Sequence, residues 1–301
     1  MIRFLAGRVA QAVLLLIVVS AGVFALAALA PGDYFAALRS DPRVDPAAIE
    51  TLRTRYGLDR PVEVRYGVWL AGAVRGDFGV SLAYNMPVTE LLAPRVEKSL
   101  ALASAAWALG WVSALVLALG AALRPGGLID KLTSWLVSML LVLPELLLAS
   151  VLVLVAARTG ILRLGGFGLA LLTLAPGVVP VLLRHARAAL KEAAEATFVE
   201  AARARGIAGR RLWVIYIFPA AANPLISLFG MSFAGVLSAS LVVEAVTGWP
   251  GIGPLFLDSI AGRDFYVVTV VTLLMAALLA AGNLAADAML YALDPRLRTP
   301  Q

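Results

Sequence analysis

Six apolar runs divide this chain, at residues 9–29, 99–123, 132–157, 167–183, 217–243 and 266–290. Each is close to the ~20 residues that carry a helix across a hydrocarbon core. In lipid a backbone N–H or C=O has no water to turn to, so runs of this kind satisfy their hydrogen bonds internally, as helices. A hydrophobic content of 61%, with 15% charged residues and a mean hydropathy of +0.90, is far from that of a water-soluble domain. The expected fold class is therefore all-α, a polytopic membrane protein with six transmembrane helices. Ala28-Leu29-Ala30 has the small-residue pattern of a signal-peptidase site. The run before it exceeds the ~7–15 residues of a signal core, which favours a retained anchor.

Between the first two runs the chain changes character. Residues 31–98 hold nine basic and nine acidic side chains and read as a small external domain. Asp45-Pro46 predicts a helix start, with an acidic cap and proline at the first helical position, and Gly57 predicts its stop. A second amphipathic stretch, residues 62–74, places Val62, Tyr66, Trp69, Leu70 and Ala73 at helical spacing before Gly76-Asp77-Phe78-Gly79 ends it. The expected organisation is an N-terminal transmembrane helix at 1–30, an external, periplasmic-side domain at 31–98, and a five-helix membrane core at 99–301.

Charge orients this arrangement. The net charge of +6 and pI of about 10 are compatible with nucleic acid, but the basic residues fall mostly in short gaps between apolar runs. Topology explains them better. The N-terminus, the 124–131 turn, the 184–211 loop and the C-terminal tail hold thirteen Arg and Lys, whereas the short loops opposite hold only Arg158, Arg163 and Arg263. Both termini and the 184–211 loop are expected on the cytoplasmic side of the cytoplasmic membrane. With no cysteine and His185 as the single histidine, the chain has no disulfide, no thiolate metal site and no histidine cluster.

Within that loop, residues 200–219 begin polar and basic between strongly apolar neighbours. Residues 200–205 suit a short helix, Gly206 suits a left-handed cap, and residues 210–216 suit a second helix returning to the membrane. Two partners fit such a loop, anionic lipid or a groove on a protein. Inside the spans Glu145, Glu244 and Asp287 are costly at membrane depth and are candidates for the translocation path or gating. Packing roles suit Glu244 and Asp287, near span ends, and for Glu145, after Pro144, a helix partner fits as well as a path. The six tryptophans fit interfacial anchoring or packing.

Glu200-Ala201-Ala202, three residues, Gly206, and Pro219 thirteen positions later resemble the EAA loop of ABC-importer permeases, with Tyr216 and Phe218 standing where that family has Ile and Leu. Glu192-Ala193-Ala194 lacks the spaced glycine. Further blocks resemble the dipeptide, oligopeptide and nickel branch. They are Ala30-Pro31-Gly32-Asp33, Tyr56-Gly57-Leu58-Asp59-Arg60-Pro61 and Arg75-Gly76-Asp77-Phe78-Gly79-Val80-Ser81 on the external side. Toward the end come Val243-Glu244, Gly248-Trp249-Pro250-Gly251-Ile252-Gly253, Arg263-Asp264, Asn283, Asp287 and Tyr291-Ala292-Leu293-Asp294-Pro295-Arg296. Tyr266 stands where the family often has proline.

The resemblance implies a type I permease fold and a transport subunit that alternates between outward-open and inward-open states. It implies that a loop at about 188–219, with Glu200, Ala201, Ala202, Arg203, Gly206 and Pro219, couples the subunit to separate ATPases. The implied partners are a homologous second permease, two ABC ATPase subunits carrying ATP and Mg, an extracytoplasmic solute-binding protein docking on 31–98, and membrane lipid. No cofactor is implied for this chain, and no GxxxxGK[ST] sequence is present to cradle ATP. The implied cargo is a peptide, with nickel chelate, glutathione or oligosaccharide as alternatives. A membrane-embedded enzyme would need paired acids, a histidine cluster or a Ser/Lys dyad on facing helices, and none is visible.

Overall fold

A computed structural model describes residues 2–29, 32, 34–35, 39 and 45–293. The blocks at 30–33, apart from Gly32, and at 294–296 lie outside the described residues. The chain is helical almost throughout. Helix α1 (Ile2–Leu29) is the first span. Helix α2 (Pro46–Arg55) starts where Asp45 accepts the Ala47 N–H at 2.9 Å. It stops at Gly57, whose φ of +66° lets Leu58 N–H reach back to the Arg53 carbonyl at 2.9 Å. Helix α3 (Val62–Ala73) buries Trp69. It ties to the end of α1 through Phe24, whose ring lies 5.1 Å from Tyr66 and 5.2 Å from Trp69.

Helix α4 (Val88–Leu123) runs unbroken through residue 98 and so belongs both to the external segment and to the membrane core. Its 36 residues span ~54 Å, well beyond a ~30 Å hydrocarbon core, so its first turns stand above the bilayer. The run at 132–157 is not one straight span. It forms α5 (Leu128–Val142) and α6 (Glu145–Thr159), which meet at 92°. Pro144 supplies no N–H and drives Leu143 into an extended conformation at ψ 116°, which no helix continues through.

Helix α7 (Phe167–Ala194) continues eleven residues past the predicted end of its apolar run, carrying Arg184 to Lys191 on a helix instead of a loop. Then come α8 (Thr197–Ala204), α9 (Gly209–Leu212), a wide π turn at Trp213–Ile217 and α10 (Phe218–Thr247). Short α11 (Ile252–Ala261) leads to the last span, α12 (Phe265–Leu293). Among the described residues five helical stretches are long and apolar enough to cross a membrane, or six when the bent pair counts as one span.

The core sits where α4, α7 and α10 meet, around Leu102, Ala106, Leu174, Leu182 and Leu237. Small residues set these contacts, because lipid gives helices little hydrophobic reason to associate and close backbone approach must do it. A Cβ at Gly110 would come within 2.8 Å of Val178, and one at Gly230 would overlap the Gly282 carbonyl oxygen of α12.

Candidate functional site

The loop between α7 and α10 is a helix, a turn and a second helix. Helix α8 is two-sided, and Val199 and Ala202 are buried in the same apolar cluster as Leu190, Ala193, Leu212 and Ile217. Gly206, at φ +80°, closes it: its N–H meets the Arg203 carbonyl at 2.9 Å and the Ile207 N–H meets the Ala202 carbonyl at 3.1 Å. This double bond pattern, with Ile207 packed inward, satisfies the free carbonyls of a helix end. Ala202 therefore holds the loop to the bundle, while Glu200, Ala201, Arg203, Gly206 and Pro219 are exposed. Phe198, 46% exposed, lies on the exposed side as well.

Proline 219 explains the π turn. In a regular helix its ring would strike the carbonyl four residues back, and its missing N–H would leave a gap. Here the Phe218 N–H bonds the Trp213 carbonyl, five residues back, and the widened turn admits the ring. One basic residue of the loop region is committed elsewhere. Arg187 forms an ion pair with Asp130 of α5 and donates to Ser134 at 2.9 Å, pinning α5 to α7.

The three intramembrane acids are not brought together. Glu145, half-buried at the bend, packs its carboxylate on Gly177 and lines a cavity of about 260 Å³ with Val181, Met231, Ser232 and Gly235. Ser232 in turn accepts the indole N–H of Trp107 at 2.9 Å and of Trp111 at 3.1 Å. Glu244 is fully buried, and its Oε2 accepts the Gly253 N–H at 2.8 Å, which caps α11 from the preceding helix. Gly251 and Gly253 leave room for it, since a Cβ on Gly251 would overlap the Glu244 carboxylate and one on Gly253 the Leu241 carbonyl oxygen. Asp287 pairs with Arg8 at 2.9 Å and joins α12 to α1. Among the described residues no group of three or more His, Asp or Glu could hold a metal ion.

On the opposite end two distant blocks meet. Ser81 donates to Asp264 Oδ2 at 2.5 Å and the Ala83 N–H joins it at 3.1 Å. The Tyr266 ring packs so closely that a Cβ on Gly79 would lie 3.1 Å from it. Burial, with Asp264 and Tyr56 nearby, pushes the Tyr34 hydroxyl above its ordinary range.

The profile of the binding-protein-dependent transport system inner membrane components matches residues 114–299, and the N-terminal profile of the same group matches residues 1–103. The chain belongs to this family of permeases. As a permease it is similar to the dipeptide transport system permease protein DppB of Lactococcus lactis, with 27% identity over 99% of this chain and 100% of the relative. It is 30% identical to the oligopeptide transport system permease protein OppB of Mycobacterium tuberculosis, over 99% of both chains. Among solved structures, the permease shares the fold of the methionine ABC transporter MetNI. The TM-score is 0.59 at 22% identity, covering 68% of this chain and 97% of the other. An amino acid ABC transporter gives a TM-score of 0.56 at 20% identity, over 69% and 94%. The fold is thus the type I importer-permease fold, and the chain is a multi-span inner-membrane component.

Proposed function

We propose that this permease passes peptides inward across the cytoplasmic membrane, driven by ATP hydrolysis on separate subunits. It pairs with a second permease of the same kind and sits between two ABC ATPases, which carry ATP and Mg, and a solute-binding protein. Both termini and the loop at about 188–219 face the cytoplasm, and the external segment receives the binding protein. The observation that carries the reading is the built loop. A short helix is locked to the bundle by Val199, Ala202 and Ile207, leaving Glu200, Ala201, Arg203 and Phe198 to meet a groove on the ATPase. A loop adapted only to lipid needs no such lock. The peptide cargo rests on the dipeptide and oligopeptide names of the relatives.

Glu145, on the cavity between α6, α7 and α10, is the acid best placed to meet a passing solute. Glu244 and Asp287 act on gating through the helix junctions they fasten.

The test is reconstitution of the full transporter in proteoliposomes with labelled tripeptide. ATP-dependent uptake is expected, resisting competition by nickel chelate, glutathione or maltotriose. Glu200→Lys should cut uptake by about tenfold or more, as expected for a charge reversed at a docking surface, with peptide binding to the solute-binding protein unchanged. Uptake of another solute in place of peptide would overturn the cargo, and full uptake by Glu200→Lys would overturn the coupling surface.

A further inference from the structure

Where α1 ends and α12 begins, the chain encloses a cavity of about 1070 Å³ that none of the roles above uses. Among the described residues Arg39, Arg53, Arg60, Arg65 and Arg263 line it together with one acid, Asp59. Arg53 is engaged by Glu50 at 3.2 Å, Arg65 lies over the Phe265 ring at 4.9 Å, and Arg39 has an interaction of its own, so the arginines of the wall that enter no ion pair or ring contact among the described residues are Arg60 and Arg263. The turn before α12 adds a second observation. Arg263 sits at φ +56°, a left-handed conformation that is strained for a residue with a Cβ. A turn that glycine would make without strain instead holds an arginine at the cavity wall.

The other wall is apolar, formed by Val23, Leu26 and Ala27 of α1 and by Val268 and Thr272 of α12. These residues lie within about two helical turns of the ends of two membrane-spanning helices, so the wall descends ~10 Å into the hydrocarbon while the arginines stand at its edge. Leu26 is 69% exposed, so the wall is open to a ligand. The shape demands an occupant with an anionic head and an apolar tail. Free phosphate would use one half of it, whereas the adjoining leaflet offers both halves in one molecule.

We propose that this cavity binds an anionic phospholipid. The arginines hold the phosphate, for which forked guanidinium donors are suited, and an acyl chain lies along α1 and α12. The lipid thereby bridges α1, α12 and the segment at 45–73 at the end of the bundle where Phe24, Tyr66, Trp69 and Phe265 already pack together.

The test uses the full transporter in phosphatidylcholine nanodiscs titrated with phosphatidylglycerol, with retained lipid counted by native mass spectrometry. Arg60→Gln/Arg263→Gln should weaken phosphatidylglycerol retention by about fivefold per arginine, about 25-fold together, with phosphatidylcholine unaffected. Leu26→Trp should weaken it with every arginine in place. Arg60→Lys/Arg263→Lys keeps the charge, guards against a folding defect, and should retain most of the binding. Phosphatidylglycerol held equally by wild type and the glutamine pair overturns the site. Loss in the lysine pair equal to that in the glutamine pair, with the melting transition unmoved, overturns a charge-held headgroup. Displacement by inorganic phosphate, with Leu26→Trp neutral, reduces it to a free-anion site and overturns the lipid. Lost recruitment of the solute-binding protein, with lipid retention unchanged, makes the surface a protein dock and overturns it too.

Discussion

Gly206 offers the sharpest test of how the loop is held. Its φ is +80° and no atom lies within 4 Å of where a Cβ would stand, so alanine there meets backbone strain but no clash. That strain is about 1–2 kcal/mol, and asparagine, which tolerates the left-handed region, should cost less. Proline cannot reach a positive φ. It also removes the N–H that bonds Arg203 at 2.9 Å and crowds Arg205 before it, for a total of about 3 kcal/mol or more. The order of destabilisation is therefore asparagine, alanine, proline. Hydrogen exchange at the Ile207 amide reads this directly, because that amide is bonded to the Ala202 carbonyl at 3.1 Å and is freed when the turn opens. Exchange should speed by about five- to thirtyfold for Gly206→Ala and by more than about 100-fold for Gly206→Pro. Peptide-stimulated ATP hydrolysis by the reconstituted transporter should fall in the same order, with subunit assembly intact by size-exclusion chromatography. Wild-type exchange in the alanine variant would refute the turn as the lock, and unchanged stimulation in the proline variant would refute coupling through it.

Two further substitutions probe the membrane core. Gly230→Ala should force α10 and α12 apart, since its Cβ would overlap the Gly282 carbonyl oxygen; a cost of about 1–3 kcal/mol should lower the thermal transition, while Gly235→Ala, with nothing within 4 Å, leaves it unmoved. Pro144→Ala removes the block to helix continuation, so the α5–α6 elbow should open from 92°; spin labels at positions 135 and 154, introduced as cysteines into a chain with none, should move apart by several ångströms, and an unchanged distance would place the cause of the bend elsewhere.

Much of the architecture was legible because lipid leaves few alternatives: a long apolar run is helical, although α4 begins eleven residues before its run and α7 continues eleven past it. Asp45, Gly57 and Gly206 were legible for another reason, since capping chemistry is local and residues within six positions suffice. What was hidden depends on partners far along the chain. The 92° bend is invisible to hydropathy because α5 and α6 are equally apolar, and Pro144 signals a kink without its size. Arg187 looked like one more topology charge, yet its partner Asp130 stands 57 residues away. Ser81 and Asp264 are separated by 183 residues. Glu244 caps a helix whose bonded amide lies nine residues later, so the usual search just before a helix start misses it. The split within the Glu200–Ala202 triplet was hidden too, because spacing does not say which face of a short helix turns inward.

These contacts bear on how a push at the loop would reach the solute path. Helix α7 runs from Ala194, beside the loop, back past Gly177, and α10 runs from Phe218, beyond the π turn, up past Ser232 and Gly235. Both reach the cavity that Glu145 lines. Ala193 of α7, Ala202 of α8 and Ala221 of α10 share one buried cluster, so the loop cannot shift without carrying the lower ends of both helices. Pro176 and Pro180 in α7 and Pro224 in α10 each remove a backbone hydrogen bond between the loop and the upper bundle, and bending concentrates where such bonds are missing. On the proposed reading, closure of the ATPases therefore swings two walls of one cavity about proline hinges. The third wall, at Glu145, is less free to follow, because α5 is anchored to α7 through Asp130 and Arg187 near the loop and turns away from α6 at Pro144. The cavity then changes shape by shear between α6 and the α7–α10 pair, which puts the Glu145 carboxylate at the moving boundary.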